Sequence, residues 1–271
     1  MTPAAGRVTV RGEQASVADA VVRSFGGRYS SELGIEVDAG DDEVERWFLA
    51  ATLFGTRISA RIAERTFDQL TRAGIARITD ARDREWADLV ELLDAGGYTR
   101  YDFRTATRLQ ALAVAVDTRF GGAVAAIGSG CADPSELTAS LDALPGWGPV
   151  TIHLFLRELR GVWPGARIPL DPNASAMAAH LGWLTGRHPD DLTVVRSVAA
   201  EAGLDARDVE SGLVRLALAH RRVRDCPGGT RCVLLRPPER WGRDRRADDV
   251  GAPDPVGAAG RRPGCPTVSA D

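Results

Sequence analysis

"LPGWGPVTIHLFLREL" occupies residues 144–159 and sets two glycines, Gly146 and Gly148, directly ahead of an amphipathic run. Upstream, "PSELTASLDA" carries helical spacing, and Pro149 suits the first turn of a new helix. The stretch therefore reads as helix, sharp bend, helix. The first-turn amides of the second helix, with those of Gly146 to Gly148, would form a concave set of donors at the positive end of a helix dipole. Such a cluster suits a phosphate oxygen, and a side chain at either glycine would hold the phosphate off the backbone. The same residues also read as an ordinary turn between two packed helices.

Outward from the bend the rhythm stays helical. Ile58, Ile62, Phe67 and Leu70 share a face of a run that stops at Gly74; Trp86, Leu89, Val90 and Leu93 do so before Gly96-Gly97. Phe103, Ala106, Leu109, Ala113 and Val116 repeat the pattern before Gly121-Gly122, and further helices run through Met177 and Leu181 to Gly186, from Pro189-Asp190 to Gly203, and past Val209, Leu213 and Leu216. Apolar spacing of 3, 4 and 7 closed by glycine is a helix burying one stripe. Strand signals are confined to "RVTV" at 7–10, too short for a sheet, so the fold class is all-α. Past Arg236, "RPPERWGRDRRADDVGAPDPVGAAGRRPG" has no apolar period and too little apolar surface to offset ordering entropy. No internal repeat stands out. The expected organisation is a flexible N-terminus over 1–15, a helical core over 16–235 and a disordered tail over 236–271.

The 271 residues are 44% apolar and 26% charged, with a formal net charge of −3, so no global basic field marks the chain. All 34 basic residues are arginine. Without lysine, no side chain can form a Schiff base. Cys131, Cys226, Cys232 and Cys265 and the lack of a leader pattern argue against a secreted disulfide framework. No apolar stretch reaches the ~20 residues that span a bilayer. The expectation is a soluble, cytoplasmic monomer with no membrane contact.

Leu144-Pro145-Gly146-Trp147-Gly148 followed by "IPLDPNASAMAAHLGW" with Asp171 resembles the helix-hairpin-helix DNA glycosylase superfamily, the endonuclease III-like group. Its members carry an "LPG-x-G" bend and an aspartate that opens a later helix; Leu170-Asp171-x-Asn173 is similar to the "LDGN" form of the adenine-specific branch. "WFLAATLFGTRISARIAERTFDQL" at 47–70 is similar to the first core helix, wedge loop and second helix of that fold. The resemblance covers roughly residues 43–235. It implies two helical lobes, one over about 46–150 and the other over about 16–45 plus 151–235, with a cleft between them that holds Asp171. It also implies double-stranded DNA as partner, contacted through Gly146, Trp147, Gly148, Val150 and Thr151, with Arg57 at the wedge loop. Val150 stands where bifunctional members place their catalytic lysine, so the implied enzyme is monofunctional: it releases the base and leaves an abasic site.

Breaking an N-glycosidic bond passes through an oxocarbenium-like sugar and needs a negative charge and an aligned water. Asp171 is the candidate for both tasks, stabiliser and general base. Asp followed by Pro172 is equally a helix N-cap, and Asn173 reads as local turn chemistry. A flipped base needs stacking walls, for which Trp47, Trp86, Tyr98, Tyr101 and Trp183 are candidates. Thr56-Arg57 stands at the wedge loop where many relatives have glutamine; the arginine could intercalate, grip phosphate or lie solvated. Ala50, Ala51 and Thr52 supply no acid of the kind that protonates adenine, so adenine excision is not expected.

Many relatives hold a [4Fe–4S] cluster through C-x6-C-x2-C-x5-C. Cys226 and Cys232 have the final spacing, but the first two ligands would fall at Leu216 and Val223, and such a cluster takes four thiolates. The expectation is no cluster, no metal and no cofactor, with His220, Cys226 and Cys232 as a conceivable zinc set and buried thiols as the default. From Arg207 to Arg246 eleven arginines face five acidic residues, which fits either a DNA-facing flank or a solvated end. The leading function is a monofunctional base-excision DNA N-glycosylase. The alternatives are a catalytically inactive helix-hairpin-helix DNA-binding protein, or purely structural glycines with a protein partner.

Overall fold

Short polar side chains punctuate this chain. Ser59, Asp133, Asp171, Asp190 and Asp205 each accept a backbone N–H from the first turn of the helix that follows. Each satisfies a donor that has no partner inside its helix. The computed structural model describes residues 5–56, 58–184 and 190–235. Arg57, the stop expected at Gly186, Pro189 and the segment 236–271 lie outside the described residues. Among those described there are twelve α-helices and no strand, so the all-α class holds.

The helices are α1 (Ala5–Phe25), α2 (Tyr29–Glu32), α3 (Asp41–Phe54), α4 (Ala60–Arg72), α5 (Trp86–Gly96) and α6 (Asp102–Phe120). They continue as α7 (Ala125–Gly130), α8 (Pro134–Asp142), α9 (Pro149–Glu158), α10 (Pro172–His180), α11 (Asp191–Glu201) and α12 (Ala206–His220). None is long and apolar enough to cross a membrane. Residues 5–15, the described part of the N-terminal segment read as flexible, lie in the first half of α1. Farther along that helix Val17 and Val21 are buried, which gives it a packing surface.

Two apolar clusters organise the chain. The first runs from Ile35 to Ile168 and centres on aromatic packing: Phe48 stacks on Trp147 at 4.3 Å, and Phe155 meets Phe48, Trp147 and Trp163 edge-on. The second joins Val17, Ala18 and Val21 of α1 to Leu170 and the chain beyond, through α10, α11 and α12 to Cys232. The change from one cluster to the other falls between Ile168 and Leu170, so α9 packs with the first. Buried Arg160 bridges this boundary: it pairs with Glu210 of α12 and donates to the carbonyls of Ile168 (3.2 Å) and Pro169 (2.8 Å).

Two apolar positions read as core lie at the surface. Trp86 and Phe103, 41% and 60% exposed, face each other with ring centroids 5.4 Å apart. Trp86 donates its indole N–H to Thr107 (3.1 Å). Each sits in or beside the first turn of its helix, where the stripe has not yet rotated under its neighbour.

Candidate active site

The bend at 143–148 forms as its sequence requires. Trp147 N–H closes a turn on Leu144 C=O (3.1 Å), and Gly146 adopts φ +77°. A Cβ on Gly146 would also stand 2.0 Å from Arg108 Cδ, so glycine is demanded twice there. Gly148 differs. Its backbone is extended (φ −141°, ψ −178°), and a Cβ there would meet nothing within 4 Å. Neither conformation nor packing asks for glycine at 148; the space in front of it is open. Trp147 points its side chain into the core and donates to Thr52 (3.2 Å), and Thr151 is buried against Gly55. Both can therefore face a ligand only through their backbone, whereas Val150 is 73% exposed.

From the bend, α9 descends along a cavity of about 520 Å³. Val150, His153, Leu154 and Arg157 line it, the i, i+3, i+4, i+7 face of that helix. Asp171 and Asn173 at the start of α10 line it too, as do Tyr29 and Phe54, whose rings touch at a tilt, with centroids 4.6 Å apart and planes at 41°. Ile58, Ser59 and Ala60, just after the wedge-loop position, complete one rim. The hairpin helix, the loop after Thr56 and Asp171 therefore meet at one cavity.

Asp171 uses its two oxygens differently. Oδ1 caps α10, accepting from the backbone N–H (2.7 Å) and side-chain amide (3.1 Å) of Asn173. Oδ2 stands 3.9 Å from His153 Nε2. The same imidazole nitrogen is 3.7 Å from Glu210 Oε1, beyond hydrogen-bond range of either carboxylate, and it is buried without a hydrogen-bond partner. Glu210 accepts from Asp171 N–H (3.0 Å) and so fixes the backbone at the cap. Burial pushes the Glu210 carboxyl up, but the Arg160 ion pair, with the charge of Arg157, outweighs it and holds the pKa at about 2. Asn173 also accepts from Arg221 (3.3 Å), another lining residue.

Two features were not legible in the sequence. Arg157 is 2% exposed, and its Nε and one terminal nitrogen lack hydrogen-bond partners. A buried guanidinium so placed is a strong donor facing a cavity. Tyr29, not among the expected aromatic walls, is held by Glu158, which accepts the N–H groups of Tyr29 and Ser30 (both 3.0 Å); Arg215 lies 3.8 Å over its ring. Of the walls that were expected, Trp47, Tyr98 and Trp183 are core, Trp86 is at the surface, and Tyr101 lines a separate cavity of about 340 Å³ with Thr56, Arg104 and Arg108. A larger cavity, about 630 Å³, lies across α9 under His153 and Ile152, but Asp171, Tyr29 and Phe54 are absent from its walls.

The arginine-rich end also resolves into parts. Arg207 pairs with Asp38 (2.8 Å) and Asp205 (2.7 Å), Arg215 with Glu32 (2.7 Å), and Arg221 faces the cavity.

Leu216, at a position the iron–sulfur motif would need, is fully buried core, and Val223 offers no donor. The residues do not fit a [4Fe–4S] cluster. What stands at that corner instead is His180, His220, Cys226 and Cys232, with ligand atoms all within 4.8 Å of one another.

No model of a known protein family matches the chain, and neither a characterised protein nor a solved structure is significantly similar to it.

Proposed function

We propose that this protein is a monofunctional DNA N-glycosylase of the helix-hairpin-helix kind. The observation that carries the reading is the shared cavity: Val150 of the hairpin helix and the carboxylate of Asp171 line the same 520 Å³ space, large enough for a base taken out of the duplex stack. A DNA phosphate would rest on the open amides at Gly148 and the first turn of α9. A flipped base would stack against the Tyr29 and Phe54 rings at the cavity wall. Arg157 and His153 offer donors from the cavity wall and no acid faces them from α3, which favours a base presenting carbonyl oxygens over adenine.

Asp171 Oδ2 stabilises positive charge as the sugar–base bond breaks and orients the water that attacks the anomeric carbon. The cap contact on Oδ1 fixes its geometry. Lysine is absent from the chain, so the product is an intact strand with an abasic site. The cap role of Asp171 also favours a rival reading, a DNA-binding module without catalysis.

The test is incubation of the full chain with duplexes carrying uracil, mismatched thymine, alkylated or oxidised bases, followed by alkali. Alkali-dependent cleavage that Asp171→Asn abolishes is the expected result; asparagine also caps helices, so the variant keeps its fold. DNA binding without product across the panel favours the binding module. Failure to bind DNA overturns both.

A further inference from the structure

We propose that His180, His220, Cys226 and Cys232 hold one zinc ion in a closed tetrahedral site, where sequence spacing alone led to the expectation of no metal. The ligand types come first. Two imidazoles and two thiols are the donor set of structural zinc, and neither cysteine is engaged in a disulfide. Their four ligand atoms lie within 4.8 Å of one another. Zinc bonds sulfur at about 2.3 Å and imidazole nitrogen at about 2.0–2.1 Å, which places the ligands of one tetrahedral ion about 3.3–3.8 Å apart. A small contraction onto one ion closes the site; the set is too tight to enclose several irons and their sulfides.

Independent observations point to a missing partner. Nε2 of His180 and Nε2 of His220 are both buried without a hydrogen-bond partner, a state buried polar atoms rarely keep. The two rings meet at 4.5 Å and 61°, edge to face. His180 is the last residue of α10 and His220 the last of α12, so two helix dipoles present their negative ends to this point and favour a cation. The chain between the thiols is shaped as a knuckle. Gly228 (φ +70°) lies so close to α10 that a Cβ would stand 2.4 Å from the His180 carbonyl oxygen. The Val233 N–H donates to Cys226 Sγ (3.4 Å), the kind of contact that supports a metal-bound thiolate. A short 3-10 turn, Gly229–Arg231, then delivers Cys232, fully buried, into the second apolar cluster.

The four ligands come from two helix ends and one loop, so the ion fastens the C-terminal ends of α10 and α12 together. Its role is structural, and the inference stands apart from the glycosylase reading. The test is metal analysis of the full chain purified without chelator, followed by removal of the metal and titration with cobalt(II). The expected result is about one zinc per chain, a raised melting temperature with metal bound, and intense visible cobalt absorption with thiolate-to-cobalt bands. Cys232→Ser loses part of that charge-transfer absorption, and His180→Ala weakens cobalt binding by more than the about 10–100-fold typical of outer partners. The wild-type titration decides the matter even where a variant does not fold. Iron with acid-labile sulfide, a Cys226–Cys232 disulfide, or no cobalt and zinc binding in the micromolar range overturns the proposal.

Discussion

The two ends of α10 do opposite electrostatic work within nine residues. At its start Asp171 places a carboxylate on the positive end of the dipole, with one oxygen bound to Asn173 and the other near His153. At its finish His180 joins three further donors around a point where a cation belongs. The first end is capped by contacts inside three residues of sequence and steadied by one long-range contact, from Asp171 N–H to Glu210. The second depends on groups brought together from as far away as Cys232. A short helix clamped at both ends is a rigid mount, and rigidity is what an oriented carboxylate needs.

Asp171→Asn is expected to lower base release by about 10²–10⁴-fold, the range for a positioned acid–base group, with the melting temperature nearly unchanged. Single-turnover cleavage after alkali, alongside calorimetry, checks both halves; a large loss of stability would make Asp171 a cap only.

Glu210→Gln leaves buried Arg160 without its counter-charge and is expected to destabilise by about 3–5 kcal/mol. The carboxyl is held at about 2, below its ordinary 4.5. Its stabilising contribution is therefore fully present above pH 4.5 and is lost as pH falls toward 2. Burial raises the Glu158 and Glu45 carboxyls, which act in the opposite sense, so the readout is the difference between wild-type and variant unfolding curves. A difference that does not shrink between pH 4.5 and 2 would contradict the ion pair.

Arg157→Met removes a buried cation that lacks full hydrogen bonding. Base release should fall by about 10²-fold, the effect of deleting one preorganised donor, while thermal stability is expected to change little, because the cost of an under-paired buried charge is offset by the favourable charge it presents to Glu158 and Glu210. Reduced stability with unchanged activity would make it a structural residue.

Gly148→Asp gives α9 a better N-cap and puts a negative charge where the phosphate is proposed to rest. Stability should rise slightly and DNA affinity fall by about tenfold at low salt, measured by anisotropy. Unchanged affinity would place the DNA elsewhere.

The contrast at α10 also marks how far the sequence could be read. Gly146, Gly148 and Pro149 announced the bend because turn and first-turn chemistry is local, and Asp171-Pro172 announced the cap for the same reason. The face formed by Val150, His153, Leu154 and Arg157 was implicit in helical spacing, but nothing in the spacing told which face would border a cavity. Trp47, Tyr98 and Trp183 looked like pocket walls because aromatic rings serve cores and stacking sites alike; burial assigns them to the core. Tyr29 follows Gly26-Gly27 in a segment without periodicity, and residues far along the chain, Glu158 and Arg215, fix its place. His180 was invisible as a ligand because no cysteine lies near it in sequence. Glu210 looked like one more acid on a surface helix until Arg160 met it.

In the proposed enzyme Asp171 faces the sugar of an everted nucleotide. This placement is tested most directly, and without knowing the lesion, by duplex binding. One duplex carries a cationic pyrrolidine abasic analogue, and the other the neutral tetrahydrofuran analogue. Wild type is expected to prefer the cation by about 10²-fold or more, and Asp171→Asn to erase the preference while still binding the neutral duplex. Equal affinity of the wild-type protein for both duplexes would contradict it.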